Sequence, residues 1–362
     1  MAPPGQPPVS PYHLVIDAAP QTLSLSRLLH PQRLHLFYGD LHNHTGYSDG
    51  TGRPEEALRQ MRERGLHFAA ITDHGEYFDR EPALHTAQQW AAVAEQTVAC
   101  SSADFVAIRG FEWSSPRQGH SNVWWSSEYT GSLRTGDESM KEYYQWLGAA
   151  KPVAGVQEVL AGFNHPGREP RGFDGYRYVP ELDQRMVTVE CFNREADYGE
   201  AYFRALDQGW HVGAIGVSDH HGTEWGSARW PRAGLFAPAL TTATIQEALC
   251  ARHVFATRSA TLALVLTGNA ALMGARLSLG SREALTIGVW CNDPAASGAW
   301  TRVELWTNGG TLVGSSETRG LQQVMWRLPL TPQGAQERWF VVRVMHNGTT
   351  LAYSSPIWAR WE

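Results

Sequence analysis

The chain has 362 residues, 43% hydrophobic and 18% charged, which excludes a disordered polymer and leaves room for more than one packed core. A formal net charge of −6 argues against a general binder of nucleic acid or anionic membrane. No stretch approaches the roughly 18 apolar residues of a membrane span, and the start of the chain lacks the basic-then-apolar order of a secretory signal. The default expectations are therefore a cytoplasmic protein, no nucleic-acid partner and no membrane partner.

In chain order, residues 1–11 are rich in Pro and Gly and read as a flexible tail. From residue 12 to 258 short apolar runs alternate with helix-like segments, the pattern of an α/β unit. Strands are predicted at His35–Leu41, Leu66–Thr72, Asp104–Glu112, Ser121–Trp125, Leu160–Asn164, Met186–Cys191 and Val212–Val217. Helices are predicted at Pro54–Arg64, Pro82–Ala99, Asp137–Ala149, Tyr198–Gln208 and Thr242–Arg252. The helix at Pro54 is well punctuated, with Pro at its first position, Glu55 and Glu56 at its positive end and Gly65 to close it. Over residues 259–362 the pattern becomes strand and turn: Thr261–Thr267, Ala284–Trp290, Arg302–Thr307, Leu321–Leu328, Arg338–Met345 and Leu351–Trp358. Asn308-Gly309 and Asn347-Gly348 mark hairpins because both residues tolerate positive φ. A small antiparallel β-sandwich fits that spacing.

Six of the seven N-terminal strands end in, or run into, residues that bind metals. His42 and His44 follow the first, Asp73-His74 the second, and Glu112 closes the third. His165 follows the fifth, Glu190 lies within the sixth, and Asp219-His220-His221 follows the seventh. Parallel strands in a barrel aim their C-terminal ends at one rim, so these distant residues are expected to share a pocket. In extended chain, residues i and i+2 point the same way, and both imidazoles of the H-x-H pair can reach one cation. The set contains no Cys; the four cysteines lie far apart and suggest neither a thiolate site nor a disulfide framework. Mixed imidazole and carboxylate ligands suit Zn, Mn or Fe with exchangeable water, as in a catalytic site. Nucleophile-elbow, Walker A and dinucleotide-binding motifs are missing, which leaves triad hydrolysis and nucleotide cradles without support.

Asp40-Leu41-His42-Asn43-His44 with Ser48-Asp49-Gly50, Ile71-Thr72-Asp73-His74, Glu112, Asn164-His165-Pro166 and Ser218-Asp219-His220-His221 resemble the PHP (polymerase and histidinol phosphatase) superfamily. The likeness is strongest to its CehA/McbA-type metallohydrolases and spans roughly residues 35–258. It implies a distorted (β/α)7 barrel carrying two or three divalent metal ions at its C-terminal rim, with an appended β-sandwich. It also implies a ligand set. His42, His44, Glu112 and Asp219 would hold one ion; Glu112 would bridge to a second, held also by His120 and His165; Asp49, His74 and His221 would hold a third. Relatives often have His where Asp49 stands. The D-x-H spacing favours His221 over His220 as the ligand, with His220 the alternative ligand or a proton donor.

Further candidates come from position. Asp73 is expected to orient a ligand. Glu190 and Asn193 read equally as substrate contacts or as a buried pair. Arg168 and Arg171 follow His165 on a rim loop, where a guanidinium could clamp an anion. Trp113, Trp124, Trp125 and Trp225 are candidates for an apolar pocket wall or for core. The expected reaction is hydrolysis by a metal-bridging hydroxide, since metal binding can lower the pKa of water from about 15.7 to about 7. Three carboxylates against two or three divalent cations leave the pocket positive, which favours a small anionic phosphomonoester or phosphodiester. A carboxylic ester or aryl carbamate substrate is the alternative, and a non-catalytic binding protein on a degenerate barrel is another.

Overall fold

The computed structural model describes residues 9–15, 34–78, 83–169, 172–295, 302–318, 321–332 and 334–362. The strands of the N-terminal part are β1 (Val9–Val15), β2 (His35–Asp40), β3 (Phe68–Ile71), β4 (Val106–Ser115), β5 (Gly119–Trp124), β6 (Leu160–Asn164), β7 (Met186–Asn193), β8 (Ala196–Asp197), β9 (Gly213–Val217), β10 (Arg232–Ala237) and β11 (Val254–Thr257). The helices are α1 (Pro54–Glu63), α2 (Gly75–Phe78), α3 (Ala83–Cys100), α4 (Ser132–Thr135), α5 (Lys141–Ala149), α6 (Gly199–Asp207) and α7 (Thr242–Cys250). Residues 9–11 of the expected tail thus belong to a strand.

The result is a mixed α/β fold. β2, β3 and β4 pair in parallel, β5 runs antiparallel between β4 and β6, and β6, β7 and β9 are again parallel. β10 adds to β2 and β11 to β10, both antiparallel. The expected (β/α)7 barrel needs two corrections. A short turn at residues 116–118 joins β4 to β5, and such a connection can only make an antiparallel hairpin. The sheet is also not closed: beyond their ends β2 and β9 meet through one bridge, Asn43 with His220.

Burial explains why the strands sit centrally. All residues of β3, β6, β7 and β9 are buried, as expected where both faces of a sheet are covered. α1 and α6 instead bury one stripe each, including Ala57, Leu58 and Met61 on α1. No described helix is long and apolar enough to cross a membrane.

The C-terminal region is β-rich: β12 (Ala263–Gly268), β13 (Ala271–Leu272), β14 (Arg276–Leu279), β15 (Leu285–Asn292), β16 (Arg302–Thr307), β17 (Thr311–Glu317), β18 (Gln323–Leu330), β19 (Arg338–His346), β20 (Thr349–Ser354) and β21 (Ile357–Trp361). β13, β12, β15 and β18 form one sheet; β16 pairs with β17 and β19, and β19 with β20 and β21. Leu264, Ile287 and Trp326 of the first sheet share a core with Val303, Leu305 and Val342 of the second. Asn347 and Gly348 have φ of 46° and 80°, the positive values of a two-residue hairpin turn. Against the wholly antiparallel expectation, β14–β21 and β1–β17 are parallel. β20 also pairs with β11, so hydrogen bonding continues from the N-terminal sheet into this region.

Candidate metal centre

The centre starts where β2 ends. Asp40, buried, accepts hydrogen bonds from the backbone N–H of His42 (3.3 Å) and Ser218 (3.2 Å), which ties the chain after β2 to the chain after β9. The backbone N–H of His44 donates to the carbonyl of His220 at 2.9 Å. Between the two histidines Asn43 points the other way, donating to Ala70 O and accepting from Ser218 Oγ. His42 and His44 therefore project together, both fully buried, with their Nε2 atoms 3.0 Å apart.

Glu112, within β4, is the hub. Its Oε1 lies 3.3 Å from His42 Nε2, 3.2 Å from His120 Nδ1 and 3.3 Å from His165 Nε2. Its Oε2 lies 2.9 Å from His74 Nδ1 and 3.4 Å from His44 Nε2. Asn164 Nδ2 donates to Oε1 at 2.7 Å and fixes the carboxylate. Asp219 Oδ1 approaches His42 Nε2 (3.4 Å) and His44 Nε2 (3.3 Å). Asp49, 39% exposed, places Oδ1 at 3.3 Å from His221 Nε2, 3.5 Å from His74 Nε2 and 3.8 Å from His44 Nδ1.

All nine residues expected as ligands thus lie around one pocket, and among the described residues three groups have the spacing to hold an ion. These are His42, His44 and Asp219; His74, Glu112 and His120; and His44, Asp49, His74 and His221. The partition differs from the expected one, because His44 and His74 each belong to two groups. The donor chemistry fits a divalent cation. Two ligand atoms about 2.0–2.1 Å from one tetrahedral ion lie about 3.4 Å apart, and the contacts of His42 and His44 with Glu112 and Asp219 are 3.3–3.4 Å. His165 Nδ1, buried, has no hydrogen-bond partner among the described residues.

Electrostatics carry the same message. Burial opposes ionisation of Glu112, yet the charges of His42, His120 and His74 hold it well below the usual carboxylate range. Burial likewise opposes a charged His74, but Glu112 and Asp49 push it up to about 11. Asp49 and Asp219 are held low against burial, Asp49 by His221 and His74, Asp219 by His42 and His44. Buried carboxylates of this kind need positive charge beside them, from ring protons or from cations.

Glu190 lies behind the ligands. Its Oε1 is 2.6 Å from His42 Nδ1, and its Oε2 accepts from the backbone N–H of His165 (2.7 Å) and from Asn193 Nδ2 (2.9 Å). Asn193, considered as a substrate contact, is instead the buried partner of Glu190. Among the described residues Asp73 bonds directly to no imidazole: it accepts from Thr45 N, Thr45 Oγ1 and Ser48 Oγ, so it shapes the loop that carries Asp49 and meets His44 only through Ser48.

Other candidates also move. His220 Nε2 accepts from the backbone N–H of Glu224 (2.9 Å), and its ring faces Trp225 and Trp230 rather than the ligands, which removes the proton-donor role. Trp113 is core, stacked on Tyr143 at 4.3 Å with its N–H on Thr135 Oγ1. Trp124 is fully buried, and Trp225 donates to His44 O. Arg171 lies outside the described residues. Arg168 does reach the rim, with Nη2 3.7 Å from Asp219 Oδ2.

Arg194 escaped the sequence reading. It follows β7 with φ of 52°, donates through Nε to Asp219 O (3.0 Å), and places Nη2 3.6 Å from Asp219 Oδ1 and 2.7 Å from His221 Nδ1. Its position after a strand that ends at the rim was the available signal.

The sequence profile of the PHP domain matches residues 40–185, a span that includes His42 to His165 but not Asp219 or His221. No curated protein matches the chain significantly. Among solved structures it is similar to a two-domain protein of Bacteroides vulgatus described as containing a predicted PHP-like metal-dependent phosphoesterase. The identity is 16%, with 97% of this chain and 100% of that chain covered and a TM-score of 0.51. Looser likeness, on which nothing rests, extends to a candidate metal-dependent phosphoesterase of Bifidobacterium adolescentis (16% identity, 51% of this chain and 88% of that one, TM-score 0.32). It extends also to an amidohydrolase of Chromobacterium violaceum with bound sulfate and no metal (17%, 52% and 90%, 0.30). Residues 40–185 therefore carry the signature of a PHP domain, on a fold shared with the two-domain Bacteroides protein.

Proposed function

We propose that the protein is a metal-dependent phosphoesterase acting on small anionic phosphomonoesters or phosphodiesters. The observation that carries this reading is the arrangement of five imidazoles around the one buried carboxylate of Glu112, with Asp219 and Asp49 completing neighbouring groups. His42, His44, Glu112 and Asp219 would hold one divalent ion, Glu112, His74 and His120 with the adjacent His165 a second, and Asp49, His74 and His221 a third. Bound zinc, manganese or iron would supply Lewis acidity and a water acidic enough to ionise near neutral pH.

The chain's own residues do the positioning. Glu190 accepts the Nδ1 proton of His42, which leaves the Nε2 lone pair facing the centre. Asn164 fixes one oxygen of Glu112 so that the other faces His74 and His44. Arg168 and Arg194, both partly exposed, stand over the two oxygens of Asp219 and would grip an anion at the mouth.

Turnover of phosphomonoester, phosphodiester, phosphotriester and aryl carbamate substrates, with and without EDTA, tests the proposal. It expects chelator-sensitive cleavage of an anionic phosphoester, restored by zinc or manganese. A preference for neutral carbamates would replace it with a carbamate hydrolase, and no turnover with ions bound would replace it with a binding role.

A further inference from the structure

The turn that carries Arg194 lacks the residues such turns use. β7 and β8 pair antiparallel with Asn193 opposite Ala196, which leaves Arg194 and Glu195 as a two-residue hairpin loop. Loops of this length favour Gly, Asn or Asp at their first position, where φ is positive; here Arg194 adopts φ of 52°. Glu195, Ala196 and Asp197 are exposed, so the turn has no core of its own. Its conformation has to be imposed by neighbours.

Two such neighbours come from the edge of the C-terminal β-region. Arg258 directly follows β11, and its backbone N–H donates to Leu351 O in β20 at 2.9 Å. Its Nη2 donates to Glu195 O (2.8 Å) and Ala196 O (3.0 Å), and its guanidinium lies 4.4 Å from the centre of the Phe192 ring. Tyr353 of β20, buried, donates its hydroxyl to Asp197 Oδ1 at 3.1 Å. These contacts grip the turn on one side. On the other, Arg194 reaches from it to the carbonyl of Asp219 and to His221.

We propose that Arg258 and Tyr353 are positioning residues, through which the C-terminal β-region sets Arg194, and with it Asp219, for metal binding. The proposal rests on the metal-centre reading above. Among the described residues neither Arg258 nor Tyr353 has a hydrogen bond or ring contact with a candidate ligand, so their effect on a bound ion has to pass through the turn.

Zinc affinity of the full chain, measured by competition with a calibrated chelator, tests this in a double-mutant cycle of Arg258→Met and Arg194→Ala. Arg258→Met alone is expected to weaken zinc about tenfold, the lower end of what partners of metal ligands contribute. In the Arg194→Ala chain the same substitution should change affinity by less than about twofold, because the residue through which it acts is gone. A general loss of packing would weaken both chains alike. Equal factors in the two backgrounds would therefore overturn the proposal, as would unchanged affinity after Arg258→Met. Should Arg258→Met fail to fold, Tyr353→Phe keeps the ring, removes only the hydroxyl and gives the same cycle with the same overturning results. An unsubstituted chain that binds no zinc would instead overturn the metal-centre reading and this proposal with it, a result distinct from either.

Discussion

His42 Nδ1 lies 2.6 Å from Glu190 Oε1, and both side chains are fully buried. A carboxylate in that position takes the Nδ1 proton and makes the opposite nitrogen the better ligand. Glu190→Gln keeps the size but removes the charge, so metal affinity is expected to fall about 10- to 100-fold. Competition with a calibrated chelator measures it; unchanged affinity would mean that Glu190 only packs.

In metal-free protein the raised pKa of His74 stabilises the fold fully below the unfolded value of about 6.5. That contribution is lost as pH rises from 6.5 through about 11. The lowered pKa values of Glu112 and Asp219 act oppositely, giving stability that is present above about 4 and lost as pH falls. Chelator-treated protein should therefore melt highest near pH 5–6 and progressively lower toward pH 9. Metal-loaded protein should gain stability over that range, because binding releases ring protons. Thermal melts across pH check both signs; a chelated protein whose Tm climbs toward pH 9 would contradict them.

Arg168 touches the centre only at its rim. Arg168→Ala is expected to raise KM for a phosphomonoester about tenfold, the loss of one charge-assisted contact. It should leave hydrolysis of a neutral ester unchanged. Arg194→Ala should do more, lowering metal affinity as well, since Arg194 also contacts His221 and the carbonyl of Asp219. Steady-state kinetics on the two ester types separate these effects.

At the opposite end of β9, His211 joins the two parts of the chain. Its Nδ1 is 2.9 Å from Asp183 and its Nε2 2.8 Å from Glu337, while Arg276 pairs with Asp183 at 3.3 Å. Burial disfavours the charged ring, but Asp183 and Glu337 outweigh it and raise its pKa. His211→Ala is expected to cost about 2 kcal/mol, below the value for a wholly buried pair because Glu337 is partly exposed. Denaturant unfolding measures the cost, and metal content should not change.

The centre was legible because strand ends converge: an imidazole or carboxylate just past an apolar run has few other places to go. His221 was separable from His220 because alternate residues face alternate sides, and His220 indeed turns toward Trp225. The β4–β5 hairpin was hidden, since a strand buried on both faces reads alike in either direction. Asn193 and Trp113 were ambiguous for a related reason: residue type does not say whether a polar group beside a site meets substrate or a buried neighbour such as Glu190. Arg194 was missed because its role depends on a left-handed backbone turn after β7, which a non-glycine residue does not advertise.

The most direct test is elemental analysis of the purified protein paired with phosphoester turnover before and after chelation. More than one divalent ion per chain, with turnover that is lost with the ions and returns with them, is the predicted result. Turnover undiminished in metal-free protein would contradict the account.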